Sequence, residues 1–200
     1  MNKNWIGNKK STFTTLGASS HSDHEREKND YYATDPRVIK ELFEVENFSD
    51  LILEPACGEG HLSKAMKQYS KTIISQDLID RGYGEGGVDF LKQNGIWDGD
   101  IITNPPYKYA QQFVAKSIEI ISKSEIADLK IAMFLKLTFL EGQKRRKFFD
   151  KYPPKIVYVY SSRRKCALNG EFDKTGSSAA AYAWFIWQKG FKGEPIIRWI

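Results

Sequence analysis

The stretch 51-LILEPACGEGHLSKAMKQYSKTIISQD-77 decides the fold. Leu51–Leu53 make a short apolar run ending in Glu54, which suits a buried strand. Pro55, Gly58 and Gly60 then interrupt it, and "HLSKAMKQY" (61–69) reads as a helix. "KTIISQD" (71–77) reads as a second strand. Strand, glycine turn, helix and strand form a unit whose strands run parallel, because the crossover carries the chain back to the end where the first strand began.

The same alternation extends outward. Upstream, "YYATDPRVIKELFEV" (31–45) predicts a helix with Pro36 in its first turn, Thr34 or Asp35 as cap, and Val38, Ile39, Leu42 and Phe43 as its apolar stripe. Downstream, "DIIT" (100–103) is a strand and "YAQQFVAKSIEIIS" (109–122) a helix. "KIAMFLKL" (130–137) is a strand, "EGQKRRKFFDKY" (141–152) a basic helix, "KIVYVYS" (155–161) a strand and "AAAYAWFIWQK" (179–189) a last strand. The expected fold is α/β, a mostly parallel sheet with helices on both faces. The two late strands, joined without a helix, are expected as an antiparallel pair closing one edge. "WFIW" (184–187) is expected in the core.

With 200 residues, 41% of them hydrophobic and 28% charged, the chain can bury one substantial core. Residues 1–29 are polar and aperiodic and are read as a mobile arm, with 30–200 as one domain. Trp5, Ile6 and Phe13 hint that part of the arm docks. Two cysteines, Cys57 and Cys166, are too few for a disulfide scaffold. No Cys/His cluster has zinc spacing, and His21 and His24 lack further ligands, so no metal is expected. No apolar run is long enough to span a bilayer and no signal-peptide core is visible, so a cytoplasmic location without membrane attachment is expected.

In open parallel sheets, ligands sit beyond the carboxyl ends of strands. Glu54 and the glycines fall at such an end. They do not form the dinucleotide fingerprint, because Ser63 stands where a third glycine is needed, and no Gly-Lys-Ser/Thr follows. An acid, three residues and Gly-x-Gly suit a ligand without pyrophosphate that carries a positive charge. Asp77, at the end of the second strand, could accept both hydroxyls of a ribose or simply hold a turn. Asp89, beside Phe90, could read an adenine edge or cap a helix.

A second strand end is the sharper signal. In "IITNPPYKYAQQF" (101–113) the apolar run stops at Asn104-Pro105-Pro106-Tyr107. Proline removes a ladder donor and fixes φ, so a stiff, exposed loop is expected there. Charge is uneven too. From Lys136 to Lys165 ten basic residues stand against two acidic ones, +8 of a net +5, leaving −3 elsewhere. Such a run suits a polyanion, or a solvated helix face.

Taken together these motifs resemble the S-adenosylmethionine-dependent amino-methyltransferases, in particular the DNA adenine-N6 type. Glu54 to Gly60 is similar to their cofactor loop, and Asn104 to Tyr107 matches their catalytic tetrapeptide. The resemblance covers about residues 31–190 and implies a Rossmann-like seven-stranded sheet, mostly parallel with an antiparallel C-terminal hairpin. It implies S-adenosylmethionine held by Tyr32, Thr34, Pro36, Glu54, Ala56, Gly58, Gly60, Asp77, Leu78, Asp89 and Phe90. Asp35 is an extra residue between Thr34 and Pro36 and loosens the match there. Asn104, Pro105, Pro106 and Tyr107 are implied to be catalytic on a base flipped out of DNA. Lys136, Thr138, Phe139, Arg145, Arg163 and Arg164 are the expected DNA contacts.

The chain is also similar to small phage or prophage adenine methyltransferases, and on that resemblance no large target-recognition domain is expected. Specificity is then expected from loops, the arm, a homodimer or an accessory partner. An RNA base, a glutamine side chain or N4 of cytosine remain alternative acceptors, and an inactive nucleic-acid-binding accessory subunit is the alternative outside enzymes.

Overall fold

A computed structural model describes residues 33–162, 164, 166, 167 and 180–200. The arm at 1–29, Tyr32 and Arg163 lie outside the described residues.

The strands are β1 (Ala33–Thr34), β2 (Leu51–Glu54), β3 (Thr72–Ser75), β4 (Asp100–Thr103), β5 (Lys130–Lys136), β6 (Ile156–Val159), β7 (Cys166–Ala167), β8 (Tyr182–Gln188) and β9 (Ile196–Trp199). The helices are α1 (Arg37–Val45), α2 (His61–Met66), α3 (Ala110–Ser122) and α4 (Gln143–Lys151). Seven strands form the main sheet in the order β3-β2-β4-β5-β8-β6-β9. All pairings are parallel except those of β8, which is antiparallel to both β5 and β6. The expected fold class holds. The hairpin does not close an edge, however: β8 lies inside the sheet, and β9, unforeseen in the sequence, forms that edge. A strand exposed along its whole length carries no buried alternation by which to declare itself.

Alternation along the strands sorts the core into two layers. Ile131, Met133 and Leu135 of β5, with Phe185 and Trp187 of β8, pack with Val114, Ile121 and Phe148 of α3 and α4. Ala132 and Phe134, with Trp184 and Ile186, pack with Val38, Ile39, Leu42, Leu62 and Met66 of α1 and α2. Burying each large side chain contributes about 1.5–3 kcal/mol. Trp184 also donates its indole N–H to Val38 O at 3.2 Å and to the Tyr160 hydroxyl at 3.0 Å. The expectation that "WFIW" is core therefore holds.

The amino ends of the central strands are tied by one buried carboxylate. Asp100 Oδ2 accepts from Ser49 N, and Oδ1 from Lys130 N, both at 2.6 Å. Burial pushes the Asp100 pKa up, against these hydrogen bonds. Asp100→Ala would leave two interior amides without an acceptor. It is expected to lower stability by about 2–4 kcal/mol, read as a shifted urea midpoint with an unchanged slope.

Candidate active site

β2 sits between β3 and β4, so the chain leaves β2 to one side for β3 and returns to the other for β4. Their carboxyl ends open into a cavity of about 1010 Å³. Thr34, Glu54, Ala56, Asp77, Leu78, Asp89 and Phe90 line it, facing Asn104, Pro105, Pro106, Tyr107 and Lys136. Two motifs 50 residues apart thus share one site.

The glycine loop is shaped by left-handed backbone, with φ of 54° at Gly58 and 79° at Gly60. A Cβ on Gly60 would lie 2.2 Å from the Tyr83 ring, so only glycine fits. Neither glycine lines the cavity by itself. Asp77 clips this loop to the end of β3: Oδ2 accepts from Gly58 N at 2.8 Å and Oδ1 from Ile79 N at 2.9 Å. Asp89 accepts from Leu91 N at 3.1 Å, capping the turn Phe90–Lys92, and pairs with Lys92 at 3.1 Å. Both acids hold turns, and both also line the cavity. Phe90 is buried against Phe113, ring centroids 5.1 Å apart.

Glu54 is buried and accepts from the Ser63 hydroxyl, which in turn meets the Ser75 hydroxyl at 2.6 Å. Desolvation pushes its pKa up to about 8; the Ser63 hydrogen bonds oppose this, and the Asp77 charge adds to it. Ser63, where a dinucleotide site needs glycine, is thus a partner of the buried acid. Burial pushes the Cys57 thiol up to about 12, so it stays protonated and is a poor nucleophile.

The tetrapeptide loop is not exposed as expected: Pro105 is buried, and Asn104, Pro106 and Tyr107 are half-buried. Asn104 Nδ2 donates to Thr34 Oγ1 at 2.7 Å, and Oδ1 is buried in this conformation. Thr34 itself is placed by β1 pairing with β7, Thr34 opposite Cys166. The extra residue Asp35 accepts from the Arg37 amide and guanidinium at 3.0 Å, capping α1. Burial pushes the Asp35 pKa up, but Arg37 more than offsets this and holds it low. Pro36 starts α1 and does not line the cavity. The Tyr107 ring lies 6.1 Å from the Tyr182 ring, with the Lys136 ammonium 4.8 Å from its centroid.

The expected DNA contacts divide. Lys136 lines the site, and Thr138 is exposed beside it. Phe139 is a correction: it is 6% exposed and packs edge-on against Phe149 and Phe185. A helical turn after β5 rotates that ring inward. Arg145 Nη1 donates to the carbonyls of Thr138 and Glu141, each at 2.8 Å, so its guanidinium holds a turn. Arg164 pairs with Glu41 at 2.7 Å and lies over Tyr160, so it ties the chain before β7 to α1 instead of projecting outward. Arg146 and Lys147 remain exposed on α4. Sequence reasoning missed His61, Arg81 and Lys108, which also line the cavity. His61 follows the glycine loop directly and could have been suspected; the other two carried no signal.

No protein-family model matches the chain, and no curated protein matches it by sequence. Its fold is that of class I S-adenosylmethionine-dependent methyltransferases. A candidate member of that class from Listeria monocytogenes superposes with a TM-score of 0.57 at 13% identity, over 95% of this chain and 71% of that one. A candidate RNA methyltransferase from Pyrococcus horikoshii gives 0.56 at 15%, over 93% and 100%. The modification subunit of a candidate type I restriction enzyme from Vibrio vulnificus YJ016 gives 0.55 at 12%, over 96% and 50%. At these identities the likeness is one of fold.

Glu54 yields a pH test. Its folded pKa of about 8 stands above the ordinary carboxyl value of 4.5. Its contribution is therefore full below the unfolded pKa and is lost as pH rises through about 8. In ligand-free protein, the melting temperature of wild type minus that of Glu54→Gln is expected to fall steadily between those limits. A constant difference would show that Glu54 ionises without penalty.

Proposed function

We propose that this protein transfers a methyl group from S-adenosylmethionine to the exocyclic N6 of adenine in DNA. The observation that carries the reading is the meeting of Glu54, Asp77 and Asp89 with Asn104–Tyr107 in one cavity. The donor set fits the cofactor: acids suit a cation, and Asp77 offers carboxylate oxygens to ribose hydroxyls. The size fits too. Ligand pockets span roughly 300–1,000 Å³, and about 1010 Å³ leaves room for a base beside the cofactor. Thr34, Glu54, Asp77, Leu78, Asp89 and Phe90 would hold the cofactor, which supplies an electrophilic methyl on a sulfonium.

An exocyclic amino group is a poor nucleophile because its lone pair is delocalised into the ring. Acceptance of its two hydrogens by Asn104 Oδ1 and the Pro105 carbonyl draws the nitrogen toward tetrahedral geometry. The same acceptors stabilise the positive charge that develops during transfer. Proline fixes its carbonyl beforehand, so little ordering is lost. For Oδ1 to reach a base, the Asn104 side chain must turn off Thr34, at a cost of about 1 kcal/mol for one hydrogen bond. Tyr107 offers a face for stacking, worth about 1–3 kcal/mol. The proton leaves the methylated nitrogen to solvent, since that nitrogen is acidic once alkylated.

The basic segment from Lys136 to Lys165 favours a nucleic acid as acceptor, and DNA is the one proposed, with a cytoplasmic setting and a homodimer or accessory partner as further parts of the proposal. No helix among the described residues is long and apolar enough to cross a membrane.

The test is incubation with S-adenosylmethionine and unmethylated duplex DNA, followed by nucleoside mass analysis. N6-methyladenine is expected, with Asn104→Ala slower by about a hundredfold or more. Methylated RNA or glutamine instead would move the acceptor. Absence of cofactor-dependent thermal stabilisation would leave the accessory-subunit reading standing.

A further inference from the structure

A second cavity, of about 560 Å³, adjoins the first, and Lys136 lines both. Its other walls are Leu137, Thr138, Leu140 and Glu141, with Ala180 and Ala181 opposite. It is preformed. The turn Leu137–Leu140 is held to the chain before β8 by Leu137 N donating to Ala181 O at 2.8 Å. Arg145 fastens the same turn from outside through the Thr138 and Glu141 carbonyls. Leu140, 42% exposed, gives an apolar surface at the opening, and Thr138 a hydroxyl that can donate or accept.

The position of Lys136 gives this cavity its meaning. It ends β5, and its ammonium lies over the Tyr107 ring, which itself lines the first cavity. A base stacked at Tyr107 would carry its backbone with it, bringing the next phosphate within reach of the border between the cavities, which Lys136 marks. An ammonium there is the group a phosphate seeks. Among the described residues lining the second cavity, Lys136 is the cation and Glu141 the acid, so a phosphate is drawn to the Lys136 side.

We infer that the second cavity is a subsite for the nucleotide next to the target base, with Lys136 on the phosphate between them. The inference rests on the nucleic-acid methylation reading and deepens it. The flanking base would lie against Leu140 with Thr138 at its edge, giving a preference for sequence context close to the reaction centre.

Three readouts test it. Affinity for a fluorescein-labelled duplex is measured by anisotropy over a salt series for wild type, Lys136→Met and Lys136→Arg. The slope of log K against log salt is expected to shrink by about 0.9 in the Met variant and return in the Arg variant, with cofactor affinity by calorimetry unchanged. Leu140→Trp, which fills the cavity from an exposed position, is expected to redistribute the bases flanking methylated adenines. Bound duplex should also slow hydrogen exchange at residues 137–141. An unchanged slope in the Met variant would overturn the phosphate contact. An unchanged flanking distribution, or no protection at 137–141, would overturn the subsite. If no methylated base forms, the functional reading fails, while the salt series and exchange protection still decide the inference. If no duplex binds, both fall.

Discussion

The parallel pairing of β4 with β2, Leu53 opposite Ile101, is the constraint on which the site depends. It brings the ends of two strands 50 residues apart side by side, one carrying Glu54 and the other leading into Asn104. Asp100 supports this arrangement from the opposite end, where its carboxylate receives backbone amides from the approach to β2 and from β5. Two such amides fix the relative heights of three strands. A slip of one residue would turn Ile101 and Ile102 to the wrong layers of the core.

Around that frame polar residues that line the cavity also hold the surrounding structure. Asp77 clips the glycine loop, Asp89 caps a turn, and Thr34 receives Asn104. A carboxylate has about four acceptor positions, so one or two backbone amides leave it able to receive a ligand hydroxyl. Glu54 differs because it is fully buried, with Ser63 as its hydrogen-bond partner. It is the acid whose ionisation a neighbouring cation would favour most, since desolvation is what opposes its charge.

The fold alone leaves the acceptor open. A candidate RNA methyltransferase and a restriction-enzyme modification subunit superpose on this chain equally well, at similarly low identity. A sheet with an opening at its carboxyl edge can present many chemistries, and the acceptor is chosen by the walls nearest the transferred group. Under the proposed reading those walls are Asn104 to Tyr107, Lys136 and the adjoining cavity.

The alternation of strands and helices, the two core layers and the cavity-lining motifs were legible because each rests on local chemistry. Apolar period marks a strand or helix face, glycine marks left-handed backbone, and proline ends a ladder. Phe139, Arg145 and Arg164 misled for the complementary reason: residue type gives what a side chain can bind, but not which way its turn aims it. Phe139 was rotated into the core and both arginines found partners inside the fold. β9 and the pairing of β1 with β7 also escaped the sequence, because β9 is exposed along its whole length and β1 and β7 are only two residues each. The sequence by itself determined the fold class and the kinds of group at the site. Only the tertiary structure decided which of them meet, because strand order and turn direction arise from packing between segments far apart in the chain.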